Sequence, residues 1–276
     1  MRAATIGVCV GLCSLTACGG GSPAAPGGGG GSTTIQSITM TLRDLVLVGT
    51  TAAATATATL GNGQTQAVTA GFRSDAPTIA TVTDGGTVTG VANGEATIIV
   101  ASGGREATRR IRVAPNYDGR WQGAQRMTAC SATGDFVGIC EQDGGIIGDL
   151  YAISLTARQA DTLTVSGEFA IEPLVFPTFT TQVEGDGTIR FTSTTTVEGI
   201  RAEVSWQMNA AQNGRAEGTI REKYTIPGVV TGEVTYDSAL SSFVRGGTAA
   251  MPPAPGARAG VNHLRSRLRG FVRRQG

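Results

Sequence analysis

Residues 51–60 read TAAATATATL, and residues 79–100 read IATVTDGGTVTGVANGEATIIV. In the first stretch Ala52, Ala54, Ala56 and Ala58 alternate with Thr55, Thr57 and Thr59. An extended chain sends successive side chains to opposite faces, so the alanines share one face and the threonines the other. Gly61-Asn62-Gly63 follows, and residues that tolerate positive φ at that point predict a hairpin turn. In the second stretch Ile79–Val82, Thr87–Val91 and Ala96–Val100 are short runs rich in β-branched residues. Asp84-Gly85-Gly86 and Asn93-Gly94 separate them, Ser74–Pro77 reads as a loop before them, and Ala107–Val113 follows. Strands bounded by turn residues at this spacing make residues 35–114 an all-β unit.

About seven short strands in 80 residues suggest an Ig-like sandwich. The residues themselves resemble a known family. Phe72 to Val82, then Gly86 to Ile98, are similar in order and content to the two conserved blocks of bacterial Ig-like domains of group 2. Phe72 stands where that family more often has Trp, which keeps an aromatic plug. The resemblance implies that Gly86, Gly90 and Gly94 serve turns and that Val82, Val88, Val91 and Ile98 fill a core. It implies a structural or spacer role and transfers no binding residue, since a fold does not carry a function with it.

Residues 117–245 continue the strand signals without helical periodicity. Candidate strands are 119–129, 149–158, 162–171, 179–184, 188–197, 200–210, 215–226 and 229–237. Asp186-Gly187 and Asn213-Gly214 mark tight hairpins. Short connections favour antiparallel neighbours, and a meander of about eight strands closes most simply as a small up-and-down barrel, an open sandwich being the alternative. Val204, Trp206 and Met208 face one side, while Arg201, Glu203, Ser205, Gln207 and Asn209 face the other. Tyr151, Ile153 and Leu155, Leu163, Val165, Phe169 and Ile171, and Ile189 with Phe191 form further apolar faces. Gly119-Arg120-Trp121 resembles the G-x-W start of lipocalin-like barrels, in which the Trp plugs one end, and Arg245 falls after the last strand, where such folds carry a capping Arg. The fold class is therefore all-β: an Ig-like β-sandwich followed by an antiparallel up-and-down β-barrel or sandwich, with disordered termini.

The same alternation puts Glu222 on the inward face with Ile220 and Tyr224, and Gln125 beside Trp121 and Met127. An inward polar group needs a partner. One explanation is a ligand-orienting group, with Glu222, Tyr224, Gln125 and Trp206 as the candidate ligand-binding residues. The other is a bulge, or a Glu bonded to a tyrosine near the rim. The two explanations separate on filling. Trp206, Phe169, Phe191 and Tyr224 meeting at the centre leave no cavity, whereas Gly123, Gly167 and Gly218 lying opposite one another would open one.

Catalysis has little to build on. His263 is the only histidine and lies in the tail, which excludes a Ser-His-Asp or Cys-His arrangement within either unit. The carboxylates Glu168, Glu172, Glu184, Glu203, Glu217 and Glu233 fall at outward positions or near turns. No phosphate-cradling loop, calcium loop or nucleophile elbow is present, so no cofactor is implied. Zinc would need more ligands than two cysteines supply.

The N-terminus reads as an address. Arg2 precedes a mostly apolar run, Ala3–Leu15, too short to span a bilayer. Leu15-Thr16-Ala17-Cys18 resembles the lipobox of bacterial lipoproteins, which implies cleavage before Cys18 and acylation of its thiol by palmitate-like chains. Two or three chains, at about 0.8 kcal/mol per buried methylene, hold a protein essentially permanently. Gly19 stands where an inner-membrane retention signal would be Asp, which by resemblance favours the outer membrane. Residues 1–17 are thus a signal peptide and residues 18–34 a Gly-rich tether. Cys9 and Cys13 leave with the signal peptide and Cys18 takes the lipid. Cys130 and Cys140 remain, and an exported compartment permits them to pair across a short loop.

Residues 246–276 begin as a Pro/Gly linker. They continue with Val261, Leu264, Leu268 and Phe271 at helical spacing among Arg258, Arg265, Arg267, Arg269, Arg273 and Arg274. This basic tail is either a solvated chain or an amphipathic helix on anionic lipid. Net charge is +1, so the chain as a whole lacks the basic surface a nucleic acid requires. The functional expectation is a cell-envelope lipoprotein of structural or adhesive role, contacting a glycan, wall polymer or surface protein. A carrier of a small apolar ligand is the alternative.

Overall fold

The computed structural model describes residues 32–142, 147–171, 174–211 and 213–246. The signal peptide, Cys18 and most of the tether lie outside the described residues, as does the tail beyond Gly246, so the expectation of disordered termini falls outside them too.

The first unit runs β1 (Ile35–Thr41), β2 (Leu45–Leu47), β3 (Thr51–Ala53), β4 (Thr55–Leu60), β5 (Thr65–Val68), β6 (Phe72–Ser74), β7 (Ala80–Val82), β8 (Thr87–Gly90), β9 (Gly94–Ser102) and β10 (Arg105–Ala114). Three small sheets, ordered β1-β4-β5, β2-β10-β9-β6 and β3-β8-β7, enclose one core. The alternating alanine run serves two of them. Ala52 packs from β3, Ala56 and Ala58 pack from β4, and between them the Ala54 N–H leaves the ladder to donate to Gly86 O at 2.8 Å. Small side chains on that face let the strands come close to Phe72, Val88, Ile98 and Val100. The threonines between them point to solvent. Gly86, at φ +85°, turns β7 into β8 as expected. Gly90 does not turn the chain: it ends β8, and a Cβ there would sit 2.6 Å from Leu47 O. The small residue is required by close backbone approach between two sheets.

The second unit runs β11 (Gly119–Ala132), a 3-10 turn (Gly134–Phe136), α1 (Ile139–Gln142), β12 (Leu150–Arg158), β13 (Thr164–Ile171), β14 (Leu174–Val175), β15 (Phe179–Gln182), β16 (Thr188–Val197), β17 (Ile200–Ala210), β18 (Arg215–Thr225) and β19 (Val234–Arg245). All ladders in it are antiparallel, and the last strand β19 pairs with the first, β11. The sheet curls from β15 through β13, β12, β11, β19, β18 and β17 to β16. Among the described residues no ladder joins β15 to β16. That seam is held by the Glu184–Gly187 turn, by the Thr181 hydroxyl donating to Arg190 O at 2.5 Å, and by Phe179 stacking on Phe191 with centroids 3.8 Å apart. The result is a meander curled into a barrel-like shape with one unladdered seam.

The expected eighth strand, 229–237, is displaced: residues 226–233 form a loop and β19 runs to Arg245. Pro227-Gly228 breaks the extended chain, with Gly228 at φ +77°. A bulge with Ser242 at φ +54° then restores Phe243 to the inward face, so Arg245 ends the strand instead of following it. No helix among the described residues is long and apolar enough to cross a membrane.

Candidate functional site

The barrel has a base and a far rim. At the base, β10 passes directly into β11, and Tyr117 and Trp121 lie fully buried there. The Trp121 indole donates to Tyr117 O at 2.7 Å, and the Tyr117 hydroxyl donates to Gly187 O at 2.7 Å. Arg245 lays its guanidinium 5.4 Å from the Trp121 ring centroid, a cation–π contact that covers the plug. Leu47 and Ala114 of the Ig-like unit join the barrel's own core, with Leu45 packed against it. Arg112 donates to Glu184 O at 2.5 Å, Asn93 to Gly185 O at 3.3 Å, and Arg43 pairs with Asp161 at 2.5 Å. The Ig-like unit is thus the floor of the barrel.

The middle is filled with rings. Phe169 stacks on Phe176 at 4.4 Å and meets Trp206 edge-on at 5.3 Å, while Phe191 stacks on Trp206 at 5.7 Å. The three glycines that would open a cavity do not face one. A Cβ on Gly123 would lie 2.7 Å from Phe243 Cα, on Gly167 2.2 Å from Thr156 O, and on Gly218 2.0 Å from Gln207 O. Each allows neighbouring backbones to touch at a twist or bulge.

Above the rings, Glu222 and Gln125 are 4% and 1% exposed. Gln125 Nε2 donates to Glu222 Oε1 at 2.5 Å, and the Tyr224 hydroxyl donates to Glu222 Oε2. Burial pushes the Glu222 carboxyl above its ordinary range, and the two donors oppose that shift. Burial and the adjacent carboxylate raise Tyr224 well above the ordinary tyrosine value. The structure therefore brings three of the four candidates together, while Trp206 belongs to the aromatic layer. Gln125 Oε1 and Trp206 Nε1 are buried without a hydrogen-bond partner. This is a Glu bonded to a tyrosine, and it lies under a cover.

The cover is the segment between Cys130 and Cys140, which are joined by a disulfide with Cα atoms 5.7 Å apart. Phe136 and Ile139 point from it into the core. The Thr231 amide and hydroxyl both donate to Asp135 Oδ2, at 2.6 and 2.9 Å, clasping the cover to the β18–β19 loop. Gly134 and Gly232 meet backbone to backbone there, at φ +59° and +87°. Around this rim stand Val137, Ile147, Val175 and Val229, the exposed large hydrophobic residues among those described, at 71, 49, 67 and 58% exposure.

On the barrel's outer wall a cleft of about 720 Å³ crosses β16, β17, β18 and β19. Arg190, Thr192, Ser205, Gln207, Thr219 and Arg221 line it. Arg221 is held by both oxygens of Asp237, at 2.7 and 3.2 Å, and Arg190 pairs with Glu184. Sequence alternation placed Ser205 and Gln207 outward but gave no sign that the wall is concave. The bulge between Ala216 and Thr219, which bends β18, leaves no mark that alternation alone reveals.

Residues 34–111 match the family described as bacterial Ig-like domain (group 2). No curated protein matches the chain. Among solved structures the chain is similar to surface layer protein SbsC, domains 1–6, with TM-score 0.27 and 12% identity over 73% of this chain and 39% of that one. Domains 4–9 of the same protein give TM-score 0.26 and 16% identity over 74% and 31%. The chain thus spans between about a third and two fifths of the length of those structures, and TM-scores of this size do not amount to a shared architecture.

Proposed function

We propose that this chain is a non-catalytic cell-envelope protein, lipid-anchored through Cys18, whose Ig-like domain carries a terminal β domain that contacts a glycan, wall polymer or surface protein. One observation carries the choice of an external contact over an internal one: the barrel is filled with aromatic rings and stoppered at both ends. Its floor is Leu47 and Ala114, and its cover is Phe136 and Ile139. A polymer or protein then meets the outer wall, where the cleft offers hydroxyls, an amide and guanidinium groups whose charge is already balanced. That lining suits neutral hydroxylated chains better than phosphate. The lipobox-like Leu15–Cys18, the Gly-rich tether and the group 2 Ig-like match support an envelope location. Attachment to the outer membrane through a palmitate-type anchor is part of the proposal.

The carrier alternative has one observation in its favour, the two buried polar atoms without partners on Gln125 and Trp206. A trapped water satisfies such atoms as well as a ligand does. Native mass spectrometry on protein purified from the envelope separates the readings. A protein free of non-covalent small molecules, with acyl chains on an N-terminal Cys18, is the expected result. A stoichiometric apolar ligand would make the carrier reading primary. An N-terminal peptide that begins at Cys18 without acyl chains, or a chain not cut before Cys18, would remove the anchor.

A further inference from the structure

The far rim and the C-terminal tail are complementary in both hydropathy and charge. The described rim segments, 133–142, 147–149, 174–178, 198–199 and 226–233, hold Asp135, Glu141, Asp149, Glu198 and Glu233, while the cations that contact them from the adjoining strands are Lys223, paired with Glu233 at 2.5 Å, and Arg126, which donates to Gly148 O at 3.0 Å, so carboxylates outnumber cations there. Among them stand the exposed Val137, Ile147, Val175 and Val229. Exposed apolar residues scattered singly need no explanation, but here each lies on a segment at one end of one domain. Residues 247–276 have the opposite character: six arginines, no acidic residue, and Val261, Leu264, Leu268 and Phe271 spaced to share one helical face.

The lengths agree. The tail leaves the body at the base, where Gly246 N–H donates to Arg120 O at 2.8 Å. β19, of 12 residues, returns from rim to base, a distance of about 40 Å at about 3.3 Å per residue. Residues 247–260 carry Pro252, Pro253 and Pro255. At about 3.1 Å per residue, the rise of an extended proline-rich chain, fourteen positions have a reach of up to roughly 43 Å. The linker is therefore long enough for the basic apolar segment, which begins at Val261, to reach the rim.

We propose that residues 261–274 dock on the far rim of their own barrel, apolar face on Val137 and Val229 and arginines over the acidic loops. Tethering makes the event intramolecular, at an effective concentration in the millimolar range. An acidic rim repels anionic lipid, so a docked tail and a lipid-bound tail are competing states.

Hydrogen exchange by mass spectrometry tests this on the full chain, on a chain ended after Gly246, and on the shortened chain with a synthetic peptide of residues 255–276. Amides of 134–142 and 226–233 should exchange about tenfold faster in the shortened chain. The peptide should restore protection, and 1 M salt should abolish it. Amides of β9 and β10, remote from the rim, should not change, which controls for folding. A full-length variant with all six tail arginines changed to Gln should match the shortened chain without any deletion. Equal rim exchange in full and shortened chains overturns the proposal. So does protection that rises with protein concentration, which would place the tail on a second copy. Rim exchange unaffected by the tail, with the tail protected only on vesicles containing phosphatidylglycerol, overturns it in favour of lipid.

Discussion

Glu222→Gln should remove a fall in stability that the parent shows as pH rises above the ordinary carboxylate range. Glu222 sits in an apolar interior with two neutral donors, Gln125 and Tyr224. Its folded carboxyl titrates above the unfolded value of about 4.3. The native state therefore binds the extra proton between those two values, and stability falls as pH rises through that window. The favourable contribution is fully present below about pH 4.3 and is lost as pH passes the folded value. The slope is at most about 1.4 kcal/mol per pH unit for this single group. His263 is the sole histidine and lies in the tail. Asp75, Asp135 and Asp186 are held low by the backbone amides of Thr97, Thr231 and Thr188, so they titrate in more acid solution. Urea unfolding followed by the fluorescence of buried Trp121 and Trp206 provides the assay. As pH rises from the unfolded value the parent should lose stability that Glu222→Gln does not lose, with the two converging at the acid end of the window. A parent that is flat over that window, or a variant with the parent's slope, refutes the argument.

Three further outcomes follow from the packing. Phe169→Ala opens a hole among Phe176, Phe191 and Trp206 and should cost about 3–5 kcal/mol in the same unfolding experiment. Cys130→Ser with Cys140→Ser releases a loop of ten-residue separation and should cost about 3 kcal/mol on the chain-entropy account, with faster exchange in 133–142. Leu47→Asp places a charge in the floor of the barrel, and should split one calorimetric transition into two as the Ig-like unit and barrel uncouple.

The Ig-like unit was legible because its signals are local: alternation fixes a strand's faces, and Asn, Asp and Gly fix its turns. Ala52 to Ala58 illustrate the limit, since one unbroken alternation feeds two sheets and only the Ala54 bond to Gly86 shows where it changes. In the barrel, alternation located Glu222 and Gln125 on the inside. Their contact, across 97 positions of chain, depends on β11 pairing with β19 and β19 with β18, a closure that no local pattern encodes. The last strand was misplaced because Val229 and Val230 look like strand residues while Pro227-Gly228 turns the chain. The glycines misled for a related reason. Gly90, Gly123, Gly167 and Gly218 are small because another backbone touches them, and a sequence does not record what approaches from elsewhere.

Pairing of the first barrel strand with the last has a mechanical consequence. The chain enters at Gly119 and leaves at Arg245, side by side at the base. A pull applied at the far rim against the N-terminal side of the chain runs lengthwise along β11. Its ladders to β12 and β19 are then loaded in shear, with many hydrogen bonds sharing the force. A pull on the tail acts at the end of β19 and peels the same ladder one bond at a time, beginning where Arg245 covers Trp121. The domain should bear tension well at its tip and yield readily when tugged by its own C-terminus.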